Sequence, residues 1–108
     1  MKWETKMIRH VVLFKLRKGL TEQVADEIFA ALKALQQQMP GILAISTGRD
    51  QSPEGLQRGN THGFTVDFAN AAARDAYLPH PAHLKVGGMI VGAAEGGVEG
   101  ITVLDWEA

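Results

Sequence analysis

The sequence contains no cysteine among its 108 residues. This absence excludes disulfide bonds, thiolate metal sites and cysteine nucleophiles, and it is typical of a cytosolic protein. An excess of charge of one sign is also missing, since the formal net charge is −1. Neither a basic surface for nucleic acid nor a disordered acidic tail is indicated. We therefore expect no nucleic-acid partner.

The N-terminal segment MKWETKMIRH has no apolar run long enough for a signal peptide or a membrane span. We therefore expect an unprocessed cytoplasmic protein without membrane association. The length of 108 residues and the 45% content of hydrophobic residues suit one domain with one core. We predict an N-terminal extension over residues 1–6 and a single domain over residues 7–106.

Hydrophobic periodicity predicts strands at residues 7–17, 42–50, 61–69 and 98–106. An amphipathic helix follows Thr21, a residue suited to an N-cap, and it ends before Pro40 and Gly41. Asn70 can cap a second helical region, which Pro79 interrupts, so two short helices are expected there. The predicted order of elements is βαββαβ.

This order, with right-handed crossovers, predicts an α+β ferredoxin-like fold with an antiparallel sheet in the spatial order 4-1-3-2. Both helical regions then lie on one face of the sheet. The first strand is nevertheless apolar on both faces, because Val12 and Phe14 alternate with Val11 and Leu13. We therefore expect a second copy of the chain to cover the other face, giving a homodimer.

The segment AYLPHPAHLKV concentrates a tyrosine, two histidines and two prolines at the edge of a predicted helix. In the predicted sheet the start of strand one and the end of strand four share one edge. Tyr77, His80 and His83 should therefore lie beside His10, with Asp105 close by. A histidine that donates to a carboxylate is a better base, and a nearby tyrosine can polarise a carbonyl, which is sufficient for enolate chemistry.

Several motifs together resemble the stress-responsive dimeric α/β-barrel (Dabb) family. They are HVVLFKL in the first strand, PG before the second, GRD and SPEG in the next loop, TH at the start of the third strand, and the HPAH box. The resemblance covers residues 7–106. It implies a ferredoxin-like fold whose dimer forms a β-barrel with the helices outside.

The resemblance implies two possible functions. Some members of the family are structural or stress-associated proteins, and others are similar to cofactor-free polyketide cyclases. In those cyclases the acid/base pair is a tyrosine just ahead of the HPAH box and the second histidine within it. These positions match Tyr77 and His83. An aspartate on the last strand that supports the catalytic histidine matches Asp105. The resemblance thus implies Tyr77, His83 and Asp105 as catalytic residues.

Five further residues are candidate ligand-binding residues, namely His10, His80, His62, Phe29 and Leu32. The resemblance implies a pocket position for His10. Leu32 stands where such a polyketide cyclase has a tyrosine in its pocket. This difference implies a different substrate for the present chain. His62 begins the third strand and should lie toward the opposite end of the sheet. No metal-ligand spacing stands out beyond the histidine pair, so we predict neither a metal nor a cofactor.

The combined prediction is a homodimer that binds a small, partly apolar carbonyl compound in a cleft between helices and sheet, with cofactor-free acid/base catalysis of a cyclase or lyase type. One alternative is a non-catalytic stress or assembly protein in which side chains fill the cleft, and another is a cofactor-free monooxygenase-like barrel.

The HPAH box and His10 also have structural interpretations that compete with the catalytic ones. The HPAH box suits a stiff corner whose histidines bond to the backbone, and His10 suits a hydrogen-bonded core position. An open pocket beside His83 would favour the site.

Overall fold

The computed structural model describes residues 6–108 as one antiparallel sheet with helices packed on one face. The strands are β1 (Ile8–Phe14), β2 (Ile42–Arg49), β3 (His62–Phe68) and β4 (Ile101–Glu107). The helices are α1 (Glu22–Gln38), α2 (Ala71–Tyr77) and α3 (Pro81–Ala93). The strand order β2-β3-β1-β4 confirms the predicted ferredoxin-like arrangement. The predicted N-terminal extension, residues 1–6, lies outside the described residues except for Lys6.

The core lies between the helices and the face formed by alternate residues of the two central strands. On these strands every second side chain is buried, namely Ile8, His10, Val12, Phe14, His62, Phe64, Val66 and Phe68. The buried residues of α1 are Ala25, Ile28, Phe29, Leu32 and Leu35. Every second residue of a strand lies on the same face, and residues three or four apart lie on one face of a helix. The apolar face of the sheet and that of α1 therefore pack against each other in one core.

Local signals set most of the helix boundaries. The side chain of Asn70 accepts a hydrogen bond from the amide of Ala73 at 2.8 Å, so the predicted cap of α2 is confirmed. Pro79 lies between α2 and α3, as predicted. Thr21 occupies the N-cap position of α1, but its side chain makes no capping hydrogen bond.

The predicted strands are longer than the observed ones, most of all at the end of β1 and the start of β4. β1 ends at Phe14, and beyond it Leu16 makes only an isolated bridge to Ala94. Residues Gly97–Gly100 form a 3-10 turn rather than the start of β4, so Val98 is outside the sheet. Gly96 precedes this turn with φ 83°, a conformation that glycine adopts without steric cost and that ends extended pairing.

The face of the sheet opposite the helices carries apolar side chains beside polar ones. Across β1 and β4 the paired residues on this face are Arg9 with Trp106, Val11 with Leu104, and Leu13 with Thr102. Leu104 is 62% exposed and Trp106 is 49% exposed. Large apolar side chains are rarely gathered in the open on a sheet face without a covering partner.

Candidate functional site

Four titratable side chains from four elements meet at the edge where β1 begins and β4 ends. We name them the Tyr77 cluster: His10 of β1, Tyr77 of α2, His83 of α3 and Asp105 of β4. The ring centroids of Tyr77 and His83 lie 4.1 Å apart, and those of His10 and Tyr77 lie 6.2 Å apart. The structure therefore brings Tyr77 and His83 beside His10, as the sheet order predicted.

The carboxylate of Asp105 bonds to His10 rather than to His83. His10 Nδ1 donates to Asp105 Oδ1 at 2.7 Å, because the two residues are direct partners in the β1–β4 register. The expectation that Asp105 supports His83 is therefore wrong. Burial raises the pKa of Asp105, but hydrogen bonds from Arg74 and His10 outweigh burial and hold this pKa below its ordinary value. Asp105 is thus ionised and acts only as an acceptor.

His83 is oriented by the backbone. Its Nδ1 donates to the carbonyl oxygen of Leu78 at 2.9 Å, across the corner between α2 and α3. In the neutral imidazole the other ring nitrogen, Nε2, then carries the lone pair and is able to accept a proton. Burial lowers the pKa of His83, and the charges of His10 and His80 lower it further, although the bond to Leu78 acts in the opposite direction.

The hydroxyl of Tyr77 is buried without a hydrogen-bond partner among the described residues. The whole residue is 1% exposed, and its ring packs edge-on against Phe68 with centroids 4.9 Å apart. Burial raises the pKa of the phenol far above its ordinary value, so the group stays protonated and remains a donor. An unpaired buried hydroxyl costs about 1 to 3 kcal/mol, and it is therefore uncommon outside functional sites.

A cavity of about 260 Å³ adjoins the cluster. It lies between the turn before β2 and helix α2, and Tyr77, His80 and Gly41 are among the residues that line it. A Cβ on Gly41 would lie 2.6 Å from the Cβ of Ala73, so only glycine allows this close approach of turn and helix. His83 does not line the cavity. An open pocket beside His83 was the feature expected of a catalytic site. The cavity observed lies beside Tyr77 and His80 instead.

The second buried histidine belongs to a separate group at the other end of the sheet, which we name the His62 cluster: Glu22, Thr61, His62, Phe14 and Phe29. His62 Nε2 donates to Glu22 Oε1 at 2.9 Å, and the Thr61 hydroxyl, 2.7 Å away, donates to Nδ1. The Phe14 ring stacks on the imidazole with centroids 5.8 Å apart. Both ring nitrogens of His62 are thus paired inside the protein.

The structure does not bring all of the predicted site residues to one place. His80 lies beside Tyr77, but its Nδ1 accepts from the amide of Ala82 at 3.0 Å and so caps α3. His62 and Phe29 belong to the His62 cluster, with ring centroids 6.1 Å apart. Leu32 is fully buried in the core and lines none of the cavities described.

Two larger cavities, of about 670 and 510 Å³, lie along the β2–β3 loop. His62 contributes to both, but no residue of the Tyr77 cluster lines either one. Their size reflects the open surface beside a long loop, and the unpaired acid and base groups lie elsewhere. We therefore place the candidate site at the Tyr77 cluster.

One polar residue beside this site was not predicted from the sequence. Arg74 Nη1 donates to Asp105 Oδ2 at 2.8 Å. The sequence did contain one indication of this residue: Arg74 stands three positions before Tyr77. Residues three apart share one face of a helix, so Arg74 could have been placed near the same site.

Among residues 6–108, no group of three histidine, cysteine or acidic side chains is arranged to hold a metal ion. Within the same residues, no helix has the length and apolar character required to cross a membrane.

Comparisons with known proteins give one family. A family model described as "Stress responsive A/B Barrel Domain" matches residues 8–108. The chain is 26% identical over 80 residues to olivetolic acid cyclase of Cannabis sativa, covering 74% of this chain and 79% of the cyclase. A dimeric ferredoxin-like protein of unknown function from Jannaschia sp. CCS1 is 31% identical with a TM-score of 0.87, covering 94% of this chain and 99% of that chain.

Hydroxynitrile lyase from Passiflora edulis is a second similar structure, with 25% identity and a TM-score of 0.84. The match covers 95% of this chain and 94% of the lyase. The similar proteins therefore include two that are named as enzymes and one that is described as dimeric. Since the family model spans nearly every residue that the structure describes, the chain belongs to the stress-responsive A/B barrel domain family.

Proposed function

We propose that this protein binds a small, partly apolar carbonyl compound beside Tyr77 and transfers a proton on it without a cofactor. The observation that carries this proposal is the buried Tyr77 hydroxyl, a donor without an acceptor, whose ring lies 4.1 Å from the His83 ring. A carbonyl oxygen is the acceptor that this hydroxyl lacks. The adjacent cavity of about 260 Å³ limits the bound portion to a small group.

In this mechanism Tyr77 and His83 act as acid and base. The Tyr77 hydroxyl donates a hydrogen bond to the substrate carbonyl oxygen. His83 Nε2 accepts a proton from the carbon next to that carbonyl, the C–H electron pair becomes the enolate, and the proton can return to a carbon or oxygen of the product. A neutral imidazole is required, which agrees with the lowered pKa of His83.

The names of two similar proteins fit chemistry at a carbonyl centre. One is a cyclase and the other is a hydroxynitrile lyase. Both names support the proposed class of reaction.

The experiment uses two simple probes, 2,4-hexanedione and mandelonitrile. Exchange of the diketone's C–H for deuterium, followed by NMR in heavy water, reports enolate formation, and release of benzaldehyde reports cyanohydrin cleavage. We expect Tyr77→Phe and His83→Gln to slow at least one reaction by about 100-fold, the usual contribution of a general acid or base. Lys15→Gln, which removes an exposed ion pair to Glu95, is the matched control and should be unchanged. Rates no faster than those of buffer for the wild type with both probes would contradict the proposal.

We also propose that two copies pair through the sheet faces opposite the helices. The exposed Leu104 and Trp106 and the dimeric relative support this arrangement. Leu13→Asp would place an unpaired charge in that interface and should shift the sedimentation mass from two chains toward one. Leu20 is equally exposed, at 37%, but lies outside the sheet, so Leu20→Asp is the control. A wild type that sediments as a single chain at micromolar concentration would contradict the dimer.

A non-catalytic stress protein is the second candidate function. Two observations favour it, because both histidines of the HPAH box bond to the backbone and His83 does not line the cavity. In that case both probes stay unreacted and His83→Gln lowers stability instead.

A further inference from the structure

Arg74 links helix α2 to the edge strand β4. Its Nη1 donates to Asp105 Oδ2 at 2.8 Å, and its Nε donates to Asp75 Oδ1 at 2.7 Å. The side chains of Arg74 and Asp105 are 24% and 22% exposed, so the ion pair still has contact with water. A charge-assisted hydrogen bond is stronger and shorter than a neutral one.

The carboxylate of Asp105 is consequently held at both oxygens. Oδ2 accepts from Arg74, and Oδ1 accepts from His10 Nδ1 at 2.7 Å. Rotation of the carboxylate would break both bonds at once. Since guanidinium is always charged and Asp105 is ionised, His10 must donate through Nδ1, and its Nε2 is the nitrogen with the lone pair.

The same arginine bears on the position of Tyr77. Arg74 and Tyr77 are three residues apart on α2 and therefore lie on one face of that helix. The ion pair to β4 ties this face to the sheet at the point where His10 lies. The charged or titratable groups around His10 are Asp105 from β4, Arg74 and Tyr77 from α2, and His83 from α3, while its partner on β3 is the apolar Val66.

We propose that Arg74 is a positioning residue that acts through Asp105 to hold His10 in the Nδ1–H tautomer, so that His10 Nε2 is a second proton acceptor in the Tyr77 cluster. Arg74 itself does not contact the substrate in this proposal. The catalytic meaning of the second acceptor depends on the proposed function. The tautomer does not depend on it, because it follows from the bonds of the protein alone.

The test is long-range proton–nitrogen NMR of the histidine side chains, at a pH where the imidazoles are neutral. This spectrum distinguishes the protonated ring nitrogen from the unprotonated one. In the wild type we expect His10 to be protonated at Nδ1. In Arg74→Gln we expect a mixture of both tautomers, and in Arg74→Lys a return toward the wild-type pattern because the positive charge is restored. His83 is the internal control, since the Leu78 carbonyl sets its tautomer in every variant.

Two NMR results would overturn the proposal. The first is a wild-type His10 protonated at Nε2, which needs no variant and therefore holds even if Arg74→Gln does not fold. The second is a folded Arg74→Gln protein with the His10 tautomer unchanged.

Deuterium exchange of 2,4-hexanedione is the parallel readout, and we expect it to fall by about 10- to 100-fold in Arg74→Gln. If the wild type does not exchange this probe while the tautomers behave as expected, the proposed reaction fails and the positioning of His10 stands. If the wild type exchanges the probe and Arg74→Gln exchanges it equally fast, the positioning role fails and the proposed reaction stands.

Discussion

The Tyr77 cluster and the His62 cluster are built from the same kinds of side chain, but they differ in whether their polar atoms are paired. In the His62 cluster the imidazole bonds to Glu22 and Thr61, and the Thr61 oxygen also accepts the amide of Leu16 at 2.8 Å. In the Tyr77 cluster a buried hydroxyl is unpaired, and no protein group bonds His83 Nε2 among the described residues. A fully paired cluster stabilises the fold, whereas an unpaired one is available to a ligand.

The surroundings of each histidine explain the difference. His62 lies beneath the first turn of α1, which supplies Glu22, and the rings of Phe14 and Phe29 lie against its imidazole. His10 lies next to the edge strand, where one neighbour is the carboxylate of Asp105 and the others are the rings of Phe68 and Tyr77. Between these rings the Tyr77 hydroxyl meets no polar partner among the described residues.

The largest expected effect is on stability at the His62 cluster. His62→Ala removes two hydrogen bonds and the stacking on Phe14, and it leaves a cavity, so the free energy of unfolding should fall by about 3 kcal/mol. His83→Ala, at a half-buried position, should cost about 1 kcal/mol. Urea unfolding of both variants measures the difference. Equal losses would show that the two histidines do not differ in structural role.

Removal of the Thr61 hydroxyl should have the next largest effect. Thr61→Val keeps the side-chain shape but leaves the Leu16 amide and His62 Nδ1 without their partner. We expect the free energy of unfolding to fall by about 2 kcal/mol, the cost of unpaired buried polar groups. Thermal and urea unfolding measure it, and a change of less than half of this value would argue against a fully paired cluster.

Tyr77→Phe is the matched hydroxyl deletion in the other cluster, and its sign should be opposite. The deleted group has no partner to lose, so the free energy of unfolding should stay unchanged or rise by up to about 1 kcal/mol. This variant should nevertheless lose activity on the carbonyl probes. A clear loss of stability would mean that the Tyr77 hydroxyl is paired in solution, and the contrast between the clusters would disappear.

The smallest expected effect is the pH dependence that His83 contributes to stability. Its pKa in the folded protein lies below the ordinary 6.5, mainly because of burial, so the unfolded chain takes up the proton first as the pH falls. The stabilising contribution is therefore complete above the unfolded value and is lost as the pH falls through the folded one. Between about pH 7 and about pH 5 the wild type should lose more stability than His83→Gln does. Parallel profiles for the two proteins would contradict a lowered pKa.

Much of the fold could be predicted because its signals are local. The alternation in β1 and β3, the Asn70 cap and the break at Pro79 depend on residues close in the chain, and the structure contains all of them. The end of β4 nearest the 3-10 turn was mispredicted, because Val98 and its neighbours have strand-like composition while Gly96 and Gly97 set a different backbone. Composition indicates which secondary structure a segment favours, but here the glycines of the 3-10 turn determined where β4 begins.

The candidate site could be predicted only in part. The convergence of Tyr77 and His83 beside His10 follows from the order of the strands, which the sequence pattern predicts. The roles of Arg74 and of the Leu78 carbonyl do not follow from that order, because they depend on side-chain directions around the corner between α2 and α3.

By itself, the sequence determined the elements, their order and the edge of the sheet at which the candidate site residues gather, because periodicity and helix boundaries depend on near neighbours. Only the tertiary structure decided which partner each polar group has. His10 and Asp105 are 95 residues apart, and the register of an edge strand, rather than any local pattern, places them opposite each other. The same packing leaves the buried Tyr77 hydroxyl without a partner among the described residues and gives His62 two partners, and this difference is the physical basis for distinguishing a candidate site from a structural support.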